Sequence, residues 1–252
     1  MSYDALTSGR LRGFGATDGL LLSVSLVSSV IYLVTKPWQP YPGSIVFKAL
    51  SIAPLALLAV RLLRETATRL HGLERLRDRD NIILGAALGF SCLGDIFLDL
   101  SGSQYFTKGL LSFLVAHFIY ILLFVRNWQR PLRPTGGQLL LTALVLVYSL
   151  LLANWLAPYL GQMARPVMVY MCAITVMTIA TILAGFSRPW VWLGALLFML
   201  SDSMIAVNRY KQPVPLRDYL VWGTYYLGQY GIAIGFLREK LGDETGKHET
   251  IR

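Results

Sequence analysis

Charge is scarce in this chain. Asp, Glu, Lys and Arg make up 15% of its 252 residues, 55% are apolar, and the mean hydropathy is +0.53. A soluble domain of this length carries more charge and sets its apolar residues in stripes rather than long runs, so a soluble fold is excluded. Cysteine is nearly absent too. Cys92 and Cys172 both lie within apolar runs, which argues against a disulfide framework and for small buried hydrophobes. With three histidines and two cysteines, no metal site is expected, and no cofactor. The Gly-x-Ser-x-Gly elbow of Ser-His-Asp hydrolases is missing. No cleavable leader is expected, because the first apolar run is long enough to span and has no obvious small-residue cleavage site.

What is present is a series of apolar runs. A helix needs about 20 mostly apolar residues to cross the hydrocarbon core. Windows of that kind fall at 17–35, 44–64, 81–100, 106–126, 138–156, 164–185, 190–209 and 219–238. Each stops at charge, Pro or Gly, as at Lys36-Pro37-Trp38 and Arg130-Pro131. The fold class is therefore all-α: a polytopic membrane protein of about eight transmembrane helices in one bundle. Residues 1–16 form an N-terminal segment, 17–238 the transmembrane domain, and 239–252 a polar tail. The stretch 65–80 reads as the longest polar loop.

The net charge of +9 does not point to nucleic acid, because the basic residues sit between the spans. Sixteen Lys and Arg fall on the side that holds the N-terminus, whereas the opposite side has five: Lys36, Arg165, Arg209, Lys211 and Arg217. This is the positive-inside bias. It places both termini in the cytoplasm of a multi-pass protein, with a bacterial inner membrane as the expected location. The charge implies no acidic partner beyond the headgroups of membrane lipid. The oligomeric state is open.

Ionisable groups within a span cost roughly 2.5–3.5 kcal/mol each on insertion scales and are usually functional. The candidates are Lys48, Asp95, Asp99, Lys108, His117 and Asp202, with Arg209 at a helix end. Because the helices alternate in direction, most of these fall in the same half of the bilayer, the half away from the termini. Asp99 and Lys108 lie close enough to helix ends to snorkel to water, and His117 is equally compatible with a helix–helix hydrogen bond. Asp95 and Asp202 lie deeper. Asp95 and Asp99 are four apart and share a helix face. On the last span, Tyr219, Trp222, Tyr226 and Gln229 form a polar-aromatic stripe. These faces are expected to meet around one polar cavity. Two carboxyl groups sharing a low-dielectric space cannot both ionise cheaply, so Asp95 and Asp202 would supply a proton donor beside a carboxylate. Acetal and ether hydrolysis needs that pair, and so does proton-coupled transport.

Four blocks on these spans resemble the YhhN family of membrane lysoplasmalogenases. They are Phe47-Lys48-Ala49-Leu50, where Ala49 stands in place of the family's Pro; Leu93-Gly94-Asp95-Ile96-Phe97-Leu98; Phe106 through Gly109, Phe113, Ala116-His117 and Tyr120; and Gly194 through Phe198, Ser201-Asp202, Ala206 and Arg209-Tyr210, followed by Tyr226 and Gln229. The resemblance covers roughly 45–235. It implies hydrolysis of the vinyl ether bond of lysoplasmalogens, to fatty aldehyde and glycerophosphoethanolamine or glycerophosphocholine. On that basis Asp95 and Asp202 would be the catalytic pair. Lys48 and Arg209 would hold phosphate, and Asp99, His117, Tyr226 and Gln229 would line the substrate site. The alternatives are a proton-coupled transporter or lipid translocator using the same aspartates, and a non-catalytic lipid-binding protein.

The orientation is testable. A reporter active only in the cytoplasm, fused after Arg252, is expected to be active, and the same reporter inserted after Gln212 silent. The opposite pattern would invert the topology.

Overall fold

The computed structural model describes residues 14–39, 41, 43–67, 74–100, 102–128 and 131–249, with side chains left undescribed at 63–67, 74–78, 103 and 242–249. The expected segment 1–16 lies almost wholly outside the described residues. Eight long helices account for nearly all the rest: α1 Ala16–Val34, α2 Ser44–Ala67, α3 Glu74–Asp99, α4 Ser103–Arg126, α5 Gly136–Leu156, α6 Ala164–Ala184, α7 Trp190–Tyr210 and α8 Arg217–Glu249. The expected windows match these within a few residues, except where charged residues extend a helix into water. Helices α2 and α3 take in 65–67 and 74–80 of the stretch read as a loop, and α8 runs through most of the polar tail. Glu, Arg and Lys are good helix formers, so a membrane helix continues past the hydrocarbon edge until a breaker stops it.

Local signals fix the ends. The backbone N–H of Gly15 donates to Asp18 Oδ2 at 2.8 Å, holding the first turn of α1. At α5, Gln138 N–H donates to Thr135 Oγ1 at 3.3 Å and Thr135 N–H donates to Gln138 Oε1 at 2.8 Å, a reciprocal cap. Helix α6 stops at Gly185, whose φ of +69° suits a residue without a side chain.

Neighbours in sequence pack from α1 to α4. Then α4 packs on α6, so α5 is left on the rim against α6. Only 11% of the α5 span is buried, against 67% for α6, which makes α5 the lipid-facing helix and α6 a central one. Helix α8 lies on α7 and also touches α1, α2 and α3, closing the bundle. Seven helices, α1 to α7, have the length and hydropathy to cross a membrane. The eighth, α8, is long enough but richer in Tyr and Gly. Its inward residues, among them Trp222, Tyr225, Tyr226, Gln229 and Phe236, are buried in protein rather than in lipid.

Buried charges tie the end of the bundle that holds the start of α1 and the later turns of α8. Asp80 receives Arg126 Nε at 3.0 Å, Lys240 Nζ at 2.9 Å and Asn127 Nδ2 at 3.1 Å. Asp18 receives Arg61 Nε at 2.8 Å. Cys92 is buried as expected, but Cys172 is exposed on α6.

The α7–α8 contact depends on close backbone approach. A Cβ on Gly194 would sit 2.6 Å from the Gly228 carbonyl and 2.7 Å from the Ile232 nitrogen, and one on Gly228 would sit 2.8 Å from the Gly194 carbonyl. Small residues at such crossings are the usual basis of helix association in lipid. Backbone cannot rotate aside, so Gly194→Ala is expected to cost about 1–3 kcal/mol and lower the melting temperature in detergent. An unchanged melting curve would contradict this packing.

Candidate active site

Two carboxyl groups organise the half of the bundle away from the termini. Asp95, near the end of α3, is buried; its Oδ2 accepts from Tyr225 Oη of α8 at 2.5 Å, and Lys48 Nζ of α2 lies 3.9 Å from Oδ1. One turn later, Asp99 accepts from Tyr32 Oη at 2.6 Å and from Ser44 Oγ at 2.9 Å, with Lys48 Nζ at 3.7 Å. The i, i+4 spacing thus lets one buried cation serve two carboxylates. Beyond the span, Lys36 Nζ donates to Tyr32 Oη at 3.0 Å. Burial, and then the charge of Lys48, push the Lys36 ammonium down to about 8.

Asp202, on α7, is built differently. Its Oδ2 accepts from Tyr170 Oη of α6 at 2.5 Å, and His117 Nε2 of α4 lies 3.6 Å from the same oxygen. His117 has no solvent exposure; its Nδ1 is 3.3 Å from Met177 Sδ, and its ring packs 5.0 Å from those of Tyr170 and Phe198. Asp202 faces a narrow pocket, partly open to the outside, between α4, α5, α6 and α7, with Leu98 of α3 in its wall. Leu110, Leu152, Ile174 and Met199 are among its apolar walls. Ser149 and Thr175, hydrogen-bonded at 2.8 Å, line it deeper in the bundle, and Phe106 and Tyr210 line it at the helix ends. Arg209 is exposed there, its guanidinium 3.6 Å from the centre of the Phe106 ring.

The single polar cavity expected from the sequence is therefore divided. Tyr225, which holds Asp95, packs its ring 5.7 Å from Phe113 and 5.3 Å from Phe198, and Phe198 in turn contacts His117. A chain of rings, Tyr225, Phe198 and His117, thus links the two aspartates. Only Asp202 lines the pocket.

The remaining candidates sort by place. Lys48 and Asp99 join Asp95 in one ion cluster, so the charge of Lys48 is already paired. His117 joins Asp202. Arg209 stands at the rim, and Lys108 is exposed beside Tyr105. Tyr226 does not reach the pocket: its hydroxyl lies 3.0 Å from Ser25 Oγ, and Ser25 donates to the Ser51 carbonyl at 2.5 Å, joining α8, α1 and α2. Gln229 accepts from Tyr120 Oη at 2.7 Å, joining α8 to α4. No cluster of three metal-ligating side chains occurs among the described residues.

Sequence reasoning missed Tyr170 and Tyr225. Tyr225 follows Trp222 by three residues and precedes Gln229 by four, so helical spacing from those two members of the stripe could have found it. Tyr170 sits in an unbroken apolar run, Val169-Tyr170-Met171, and only the α6–α7 crossing gives it a role.

Intramembrane carboxyls, one of them lining a partly open apolar pocket, define a multi-pass membrane protein with an acidic site. Residues 43–236 match the YhhN family, and the chain belongs to it. It is similar to lysoplasmalogenase TMEM86A of Bos taurus, 34% identical over 161 residues, covering 61% of this chain and 64% of that protein. It is similar to the lysoplasmalogenase of Mycobacterium tuberculosis (strain CDC 1551 / Oshkosh), 28% identical over 209 residues, 82% of this chain and 78% of the other. Human lysoplasmalogenase TMEM86B is 34% identical over 157 residues, 62% of this chain and 64% of that protein. The match thus spans 64% of the length of the bovine TMEM86A and human TMEM86B proteins. No solved structure matches the chain.

Removing Lys48 leaves the buried Asp95 and the half-buried Asp99 without their shared cation. Lys48→Met is expected to destabilise the protein by about 3–5 kcal/mol, read as a lower melting temperature in detergent. Wild-type stability in that variant would mean the pairing contributes nothing.

Proposed function

We propose that this protein hydrolyses the vinyl ether bond of lysoplasmalogens, releasing a fatty aldehyde and glycerophosphoethanolamine or glycerophosphocholine. The observation that carries the proposal is the apolar pocket lined at its polar point by the Asp202 carboxyl. An alkenyl chain suits the Leu and Met walls, and the headgroup phosphate suits Arg209 at the rim. The names of the relatives support the same substrate class.

The chemistry follows from a carboxylic acid beside an enol ether. Asp202 gives its proton to the outer alkenyl carbon, leaving an oxocarbenium ion at the carbon that bears oxygen. The negative field of Asp95, across the aromatic wall, stabilises that cation without touching it. Water adds to the cationic carbon and its proton returns to Asp202. The resulting hemiacetal breaks its bond to the glycerol oxygen, which takes up the hydroxyl proton. The sum is one water added and no net proton change. Lys48 and Asp99 fix Asp95 in place rather than contacting lipid. With both termini cytoplasmic, the pocket would open toward the far leaflet.

A transporter needs a second opening toward the opposite face. At that end the ion cluster of Asp80 with Arg126, Asn127 and Lys240 is closed on itself, and the cavity lined by Arg133, Thr135, Gln138 and Trp192 shares no lining residue with the Asp202 pocket. That arrangement favours a one-sided pocket.

Detergent-purified protein incubated with lysoplasmalogen is expected to release aldehyde, and Asp202→Asn to lose at least about 100-fold in rate while keeping its fold. Asp95→Asn is expected to lose less, since it acts through its field. Absence of aldehyde from the wild type, or full activity in Asp202→Asn, would sink the proposal.

A further inference from the structure

Asp202 is held asymmetrically. Tyr170 Oη donates to Oδ2 at 2.5 Å, and His117 Nε2 lies 3.6 Å from that same oxygen. Oδ1 has no hydrogen-bond partner among the described residues. The side chain is 12% exposed, and the residue lines the pocket. Tyr170 is itself a lining residue, and its ring is clamped at 5.0 Å against the buried His117 ring. Its hydroxyl therefore has little freedom to turn elsewhere.

We infer that Tyr170 is a positioning residue that makes Asp202 a directional acid: by occupying Oδ2 it leaves Oδ1 as the oxygen that carries the transferable proton and presents it to the pocket. The inference rests on the hydrolase proposal and goes one step further, by assigning the reacting atom. A free carboxyl group distributes its proton between two oxygens and rotates about its C–C bond. Here a short phenol hydrogen bond fixes the rotation, and the phenol, being a donor, excludes a second proton from Oδ2. The Oδ1–H bond breaks as the alkenyl C–H bond forms, and the water proton later reforms Oδ1–H. Tyr170 keeps its own proton throughout, so it binds no intermediate and is not consumed or recharged.

The same phenol–carboxyl unit occurs at Tyr225 and Asp95, also at 2.5 Å, but that carboxyl has Lys48 on its other oxygen and does not line the pocket. The comparison separates the two roles. At Asp95 both oxygens face protein groups, which suits a fixed charge. At Asp202 one oxygen is left for chemistry.

Tyr170→Phe removes one oxygen atom and leaves the ring on His117. With purified protein and lysoplasmalogen, it is expected to lower kcat by roughly 10–100-fold. KM, and the affinity for a saturated alkyl lysophospholipid that cannot be cleaved, should stay within about twofold, since alignment rather than binding is lost. A purely structural role would instead raise KM or weaken alkyl-lipid binding along with kcat, and that result would overturn the inference, as would wild-type kcat. If Tyr170→Phe does not fold, 3-fluorotyrosine at position 170 keeps the shape and the hydroxyl while strengthening the donor. It is expected to change kcat by more than about twofold at constant KM; an unchanged kcat would overturn the inference. Wild-type protein that releases no aldehyde would defeat the hydrolase proposal itself. Active wild type with an inactive Asp202→Asn and an indifferent Tyr170→Phe would defeat only the role of Tyr170.

Discussion

A carboxyl group among membrane helices has no water to hydrogen-bond and must find its partners on other helices. Asp95 and Asp202 both do so with a tyrosine hydroxyl, and the partner helix differs: α8 for Asp95 and α6 for Asp202. Those two bonds, with the Lys48 ion pairs, determine which helices meet in this half of the bundle. Helix α8 must lie beside α3, and α6 beside α7. The close α7–α8 crossing at Gly194 and Gly228 then brings the two units together.

The requirement to satisfy polar groups also explains why the polar residues are not interchangeable. Ser25, Ser51 and Tyr226 join α1, α2 and α8, and Tyr120 and Gln229 join α4 and α8. Such bonds are worth about 1 kcal/mol each in lipid, less than the packing around them, and they select which helix faces which. Asp202 departs from this pattern because only one of its oxygens is hydrogen-bonded among the described residues, and the residue lines an apolar pocket. The proposed chemistry needs that departure, since a fully satisfied carboxyl is a strut, whereas a half-satisfied one can act on a substrate.

Helix α5 shows the same logic from the lipid side. It contributes Ser149 and Leu152 to the pocket, yet almost all of its surface faces outward. A lipid tail held between α5 and its neighbours would pass from bilayer to protein without crossing water, which suits a substrate that is itself a membrane component. Under the proposed function, Arg209 on the Phe106 ring would offer the polar end of such a substrate a cation at the rim.

Hydropathy alone determined the number and order of the spans, because the bilayer thickness leaves a spanning segment little choice; it did not give the full length of α2, α3 and α8, which charged residues extend. The same apolar background made Asp95, Asp202, Lys48 and His117 conspicuous as candidates, since each is costly there. Sequence spacing also placed Asp95 and Asp99 on one face, which the shared Lys48 bears out. What spacing could not give was the neighbour across each interface. Helix order around the bundle, with α4 on α6 and α5 displaced to the rim, comes from side-chain fit between distant segments. That fit decided that Tyr225 rather than Tyr226 turns toward Asp95, that an unremarked tyrosine at 170 holds Asp202, and that an aromatic wall leaves only one of the two acids lining the pocket. A helix's period shows which residues share a face, but the partner of that face is fixed only when the helices pack.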